Sequence, residues 1–302
     1  MVKHNFPKKV HIREVGPRDG LQNESNFIQT EDKIEWINLL SASGLSYIEV
    51  TSFVNPTWIP ALSDAELVAK QINKFDEVTY AALVPNMKGL TRALESKIDE
   101  VSVFISASET HNKKNINKTI TETETVLSEV VRESIANNKT VRGYISTVFG
   151  CPYEGNVEIE KIIRLSDSLF EMGIDELSLG DTIGIANPLQ VNFVLEELLK
   201  RYPADKIAMH FHNTRGTAMA NVLASLEMGI TKIDSSIGGL GGCPYAPGAS
   251  GNLATDDLNY MLTGMGIQTN INSDKLHAAA LFIQDKMNKP LESHSLKYSS
   301  TN

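Results

Sequence analysis

Short apolar runs of strand length alternate with amphipathic stretches of helix length along most of the chain, which predicts βα units around a parallel sheet. Eight strands are predicted, at 10–15, 47–53, 78–84, 101–106, 141–149, 176–179, 207–212 and 232–237. Helical patterns follow them, among them 30–43, 63–75, 122–136, 157–172, 188–202 and 217–228. A parallel sheet of eight such units is the α/β class in its closed form, the (β/α)8 TIM barrel. One local pattern recurs at Gly44-Leu45, Gly173-Ile174 and Gly229-Ile230: a helix end, a glycine, an apolar residue, then a strand. The glycine ends a helix in the left-handed conformation before the chain turns into the sheet. Past residue 258 the pattern changes to a helical stretch to 265, a polar loop, a helix over 274–287 and a polar tail over 291–302. The expected organisation is a catalytic barrel over 1–265, with a C-terminal helix and tail over 266–302 packed on it as an appended segment. The tail itself is expected to be disordered or lid-like.

Length alone points elsewhere, since 302 residues at about 150 per domain suggest two domains. The eight units absorb most of the chain and favour one barrel. A net charge of −9 argues against a nucleic-acid coat or a basic membrane-surface module. The apolar runs are broken by charge before the roughly 18 residues that a membrane span needs. The N-terminal MVKHNFPKKV carries basic residues but no apolar leader core. Cys151 and Cys243 are the only cysteines, which is no disulfide framework and suits a reducing compartment. A cytoplasmic protein with no nucleic-acid or membrane partner is expected, and a homodimer is the default expectation for its assembly.

In such barrels the reactive groups collect at the C-terminal ends of the strands. His210 and His212 stand at i and i+2 on one strand, so both imidazoles point the same way, into the barrel. Paired with a carboxylate they offer a divalent-metal site; hydrogen-bonded polar residues at a barrel mouth are the plainer reading. Asp19, in the turn after the first strand, is the candidate carboxylate partner. With only histidine and oxygen donors, Mg²⁺ or Mn²⁺ is favoured. Arg18 beside it is a candidate clamp for a carbonyl or enolate oxygen. Parity sends Glu49 inward, where it either pairs with Arg18 or acts directly. Asp181, after Gly180, carries the same ambiguity. Gln22 and Thr182, at the same end, are assigned to substrate binding. Lys113, Lys114 and Lys118 in the loop after the fourth strand, with Arg142 in the fifth, form a local basic patch for an anionic substrate. The segment 238–251 holds six glycines but lacks the dinucleotide fingerprint, because Pro244 takes the last glycine position. It is expected to be a mobile loop carrying the Cys243 thiol over the mouth as a proton donor or acceptor. Cys151 is expected to be structural.

Three segments carry a resemblance: Gly16-Pro17-Arg18-Asp19-Gly20-Leu21-Gln22-Asn23-Glu24, His210-Phe211-His212-Asn213-Thr214, and the run from Gly239-Leu240-Gly241-Gly242-Cys243-Pro244 to Gly251-Asn252. Together, and in order along essentially the whole chain, they closely resemble the 3-hydroxy-3-methylglutaryl-CoA lyase family. The first two are shared with a wider group of metal-dependent lyases and Claisen-type acyltransferases; the cysteine-bearing run is specific to the lyases. The resemblance implies cleavage of 3-hydroxy-3-methylglutaryl-CoA to acetyl-CoA and acetoacetate, chemistry of leucine degradation and ketone-body formation. It also implies a divalent cation held at Asp19, His210, His212 and Asn252. Activity is implied for Arg18, Asp19, Glu49, Asp181 and Cys243. Asn252 comes from the resemblance alone. Two alternatives stand beside this reading. One is a Claisen-type acyl-CoA synthase, which should lack Cys243 and commonly has a further C-terminal domain for which this chain leaves no room. The other is a non-catalytic acyl-CoA binder.

Overall fold

A computed structural model describes residues 6–24, 26–242 and 251–299 of the chain. Its eight strands are β1 (His11–Glu14), β2 (Tyr47–Ser52), β3 (Thr79–Leu83), β4 (Glu100–Ser106), β5 (Thr140–Ser146), β6 (Glu176–Asp181), β7 (Ile207–Phe211) and β8 (Lys232–Ser235). They pair in sequence order and close into one barrel. Every pair is parallel, from β1 with β2 round to β8 with β1.

Period-two alternation sorts each strand into two faces. On β5, Val141, Gly143 and Ile145 face the helices. A Cβ on Gly143 would lie 2.9 Å from Ile174 Cδ1 and 3.3 Å from Leu169 Cδ1, so the helix Ile159–Met172 approaches the sheet closely there. Leu177 and Leu179 of β6 and Ile207 and Met209 of β7 share this outer layer with Leu165, Leu195 and Val222 from the helices, all buried. The repeated helix-end glycines adopt the expected backbone, with φ of 95° at Gly44, 105° at Gly173 and 84° at Gly229.

The inner face is polar. Arg142, wholly buried, donates from Nε to Glu176 Oε1 at 2.8 Å and from Nη2 to Asp234 Oδ1 at 2.6 Å. Arg13 and Lys232 reach the second Glu176 oxygen at 2.8 and 2.6 Å. The barrel is therefore plugged by ion pairs, where aliphatic layers are the usual filling.

Two local departures from the sequence expectation have plain causes. β5 stops at Ser146 because Thr147 turns to φ 60°, a conformation β-branched residues rarely adopt. The polar tail is ordered through 299. His294–Ser299 is helical, Leu291 and Leu296 are buried, and Asp257 accepts the N–H groups of His294 at 3.1 Å and Ser295 at 2.8 Å. An apolar anchor and a carboxylate cap thus hold a segment whose composition reads as free. No helix among the described residues is long and apolar enough to cross a membrane.

Candidate active site

The residues Gly16–Gly20 after β1 form a single π-helical turn. The N–H groups of Arg18, Asp19 and Gly20 all converge on the Val15 carbonyl, and turns of this kind concentrate at functional sites. Gly16 fits because a Cβ there would fall 2.5 Å from Glu14 Oε1. This turn holds Arg18 and Asp19 nearly buried at the C-terminal end of the barrel.

Asp19, His210 and His212 each offer a ligand atom, and these atoms lie within 4.8 Å of one another. Asp19 Oδ2 is 3.8 Å from His210 Nε2 and 3.9 Å from His212 Nε2. Asn252 is drawn in by a β-bridge to His212. Its Nδ2 donates to Asp19 Oδ2 at 2.8 Å and to the Leu240 carbonyl at 3.0 Å, while its buried Oδ1 has no hydrogen-bond partner. Gly241, at φ 114°, leaves room for this amide, since a Cβ there would sit 2.7 Å from Asn252 Nδ2. Burial works against ionisation of Asp19, but the adjacent Arg18 guanidinium, foremost among its neighbours, helps outweigh it and hold the carboxyl well below its usual range. Burial and the neighbouring His210 push His212 down to about 4, so its ring is neutral at pH 7. A carboxylate, two imidazoles and an open carboxamide oxygen fit a divalent cation.

Arg18 lies beside this cluster, donating from Nε to Glu49 Oε2 at 2.6 Å and from Nη1 to Asp19 Oδ1 at 2.5 Å. Glu49 sits fully buried behind the guanidinium as its counter-ion. Gln22 Nε2 donates to Asp19 Oδ1 at 2.8 Å. All but Glu49 line a cavity of about 1030 Å³, which also takes in His210, His212, Tyr144 and Thr182 and runs outward past Phe53, Phe104 and Leu83 to Trp58, Lys88 and Lys118.

Other candidates stand elsewhere. Lys113 and Lys114 belong to a helix, Glu109–Ile116, and not to a loop. That helix turns them outward, where Lys113 pairs with Glu109 at 3.2 Å and Lys114 covers the Tyr153 ring at 4.2 Å; neither lines the cavity, whereas Lys118 does. Arg142 is no surface cation: it lies one layer down, and its Nη1 reaches the cavity only through the Tyr144 hydroxyl, at 2.5 Å. Asp181 shares the outward parity of Leu177 and Leu179. Its carboxylate accepts the N–H groups of Ile185 at 3.0 Å and Ala186 at 3.1 Å, shaping the loop after β6, and burial pushes it up to about 6. Cys243 lies outside the described residues. Cys151 is buried, with the N–H groups of Tyr153 and Glu154 directed at its sulfur.

Sequence reasoning passed over Tyr144 and Asp234. Both carry the signal that selected Glu49, a polar residue at an inward position of a strand. Tyr144 keeps step with Arg142, and Asp234 is paired in register with His210.

The HMGL-like family profile matches residues 9–283. The chain belongs to the HMGL-like family. The sequence is 63% identical over 292 residues to hydroxymethylglutaryl-CoA lyase YngG of Bacillus subtilis, spanning 97% of this chain and 98% of that protein. The crystal structure of the Bacillus subtilis HMG-CoA lyase superposes with a TM-score of 0.97 at 62% identity, covering 98% of this chain and 99% of that one. An HMG-CoA lyase from Acinetobacter baumannii, solved with coenzyme A and 3-methylmalate, gives a TM-score of 0.92 at 39% identity, covering 96% of this chain and 95% of its own. Within this HMGL-like barrel, both the histidine pair and the Arg18–Asp19 turn fall inside the matched span.

Proposed function

We propose that this protein is a divalent-cation-dependent carbon–carbon lyase that cleaves 3-hydroxy-3-methylglutaryl-CoA into acetyl-CoA and acetoacetate. The observation that carries this reading is the Asp19, His210 and His212 cluster set against the Arg18 guanidinium at the head of one cavity in an HMGL-like barrel. Asp19, His210, His212 and Asn252 would hold the cation, and their oxygen and imidazole donors suit Mg²⁺ or Mn²⁺. When bound, such a cation makes a hydroxyl of the substrate a stronger acid.

Asp19, a carboxylate lining the cavity, takes the proton of the tertiary hydroxyl, which becomes the ketone of acetoacetate. The carbon–carbon bond beside it breaks, and its electron pair stays with the acetyl-CoA fragment as an enolate. Arg18, fixed by Glu49 and Asp19, faces the cavity and stabilises the thioester oxyanion. Cys243 delivers the proton to the enolate carbon. Gln22 and Thr182 give the substrate polar contacts along the wall. Arg142, beneath Tyr144, donates to the Tyr144 hydroxyl and so sets that ring in the cavity wall that meets the substrate. The bound coenzyme A of the Acinetobacter lyase supports an acyl-CoA partner here. The two-cysteine composition supports a reducing, cytoplasmic setting.

Purified protein incubated with 3-hydroxy-3-methylglutaryl-CoA and Mg²⁺ is expected to release acetoacetate, and a chelator is expected to stop it. Absence of metal-dependent acetoacetate would overturn the reading.

A further inference from the structure

We infer that Asp234 is a positioning residue of the metal centre: its carboxylate accepts the Nδ1–H of His210 and so fixes that ring in the tautomer whose Nε2 is unprotonated and turned toward Asp19. The inference deepens the metal-site reading above and rests on it.

The strands place the two residues together. The β7–β8 register sets His210 beside Asp234, with both side chains directed into the barrel, and His210 Nδ1 lies 3.1 Å from Asp234 Oδ2. Asp234 is 1% exposed, does not line the cavity, and has its other contacts defined: Oδ1 accepts Arg142 Nη2 at 2.6 Å, and Oδ2 accepts Ser178 Oγ at 3.0 Å. A carboxylate paired with a buried guanidinium is ionised and can only accept hydrogen bonds, so the ring nitrogen facing it must carry the hydrogen. In its neutral form the imidazole then has its lone pair on Nε2, the atom 3.8 Å from Asp19 Oδ2. A carboxylate behind a ligating histidine orients the ring and raises its basicity.

His212 supplies the internal contrast. Its Nδ1 is buried with no hydrogen-bond partner among the described residues. The two histidines therefore enter the centre on different terms, one locked from behind by a carboxylate and one held at the strand end by the backbone bridge to Asn252. Arg142, by holding Asp234, links the ion-paired floor of the barrel to a single ligand of the centre.

Two measurements test this. In metal-free, histidine-labelled protein, ¹⁵N NMR is expected to show His210 as the Nδ1–H tautomer; the Nε2–H form would overturn the inference, and this readout needs no variant. In an Mn²⁺ titration followed by electron paramagnetic resonance, Asp234→Asn is expected to lower affinity about 10–100-fold. An amide has one oxygen, Arg142 claims it, and the amino group left facing His210 drives the ring to the opposite tautomer. Added to His210→Ala, the same substitution is expected to lower affinity no further. Unchanged affinity in Asp234→Asn, or an equal drop in both backgrounds, would overturn the assignment. If the unaltered protein bound no Mn²⁺, the metal reading itself would fall, and the tautomer measurement would still decide the role of Asp234.

Discussion

Neighbouring residues of β5 live in different media. Ile145 points into the hydrocarbon between sheet and helices, among side chains that any volume-conserving exchange would serve nearly as well. Tyr144 and Arg142 point into an interior held by ions and hydroxyls, where Arg142 Nε, Nη1 and Nη2 and the Tyr144 hydroxyl each have a named acceptor and no other residue type repeats the geometry. The outer layer supplies most of the apolar burial that closes the barrel. The inner layer spends part of that stability on a charged scaffold under the reactive end, and substitutions on the two faces of one strand should differ in kind as well as size.

The largest expected effect is on the inner face. Arg142→Met removes the partner of two buried carboxylates and leaves Asp234 uncompensated, so a loss of about 3–5 kcal/mol in denaturant unfolding is expected. The pH profile carries the same signature. Burial alone would raise Glu176, but Arg142, Arg13 and Lys232 overcome it and hold it at about 2, below the ordinary 4.5. Because the folded value is depressed, that stabilisation is complete above about 4.5 and is lost as pH falls toward 2. In Arg142→Met the acid limb of Tm against pH is expected to move upward; a superimposable limb would show that the interior ion pairs contribute nothing measurable.

This division also explains what could be read from the sequence. Alternation is a property of the outer layer, so the eight strands and their helices were legible from apolar spacing, and the i, i+2 rule placed His210 and His212 on one face. Contacts inside the barrel join residues far apart in the chain and leave no local pattern: nothing near Asn252 announces that it will meet Asp19, 233 positions earlier. Glu49 could be placed inside but not assigned, because only the fold shows Arg18 against it. Lys113 and Lys114 misled for the converse reason. A charge cluster shows that a surface is polar, and the helix they sit on decides which way it faces.

The second effect concerns the point where inner scaffold meets cavity. Arg18→Gln keeps a polar side chain but removes the charge proposed to stabilise the thioester oxyanion. Loss of one such stabilising donor lowers kcat by about 10²–10³. Steady-state turnover should show that fall while Mn²⁺ still binds through Asp19, His210, His212 and Asn252. A variant with kcat intact would reduce Arg18 to a counter-ion for Glu49 and move the oxyanion stabilisation to another group.

The smallest effect is the one that isolates the comparison. Ile145→Val deletes one methyl group from the outer layer of β5, one residue from Tyr144 and three from Arg142. A buried deletion of this kind costs about 0.5–1.5 kcal/mol. If the sheet separates the two layers as its parity implies, denaturant unfolding should register that loss, with turnover, Mn²⁺ affinity and the acid limb all unchanged. Should Mn²⁺ affinity fall alongside stability, strain would be crossing the sheet, and the helices packed outside β5 would have to be counted among the supports of the metal centre.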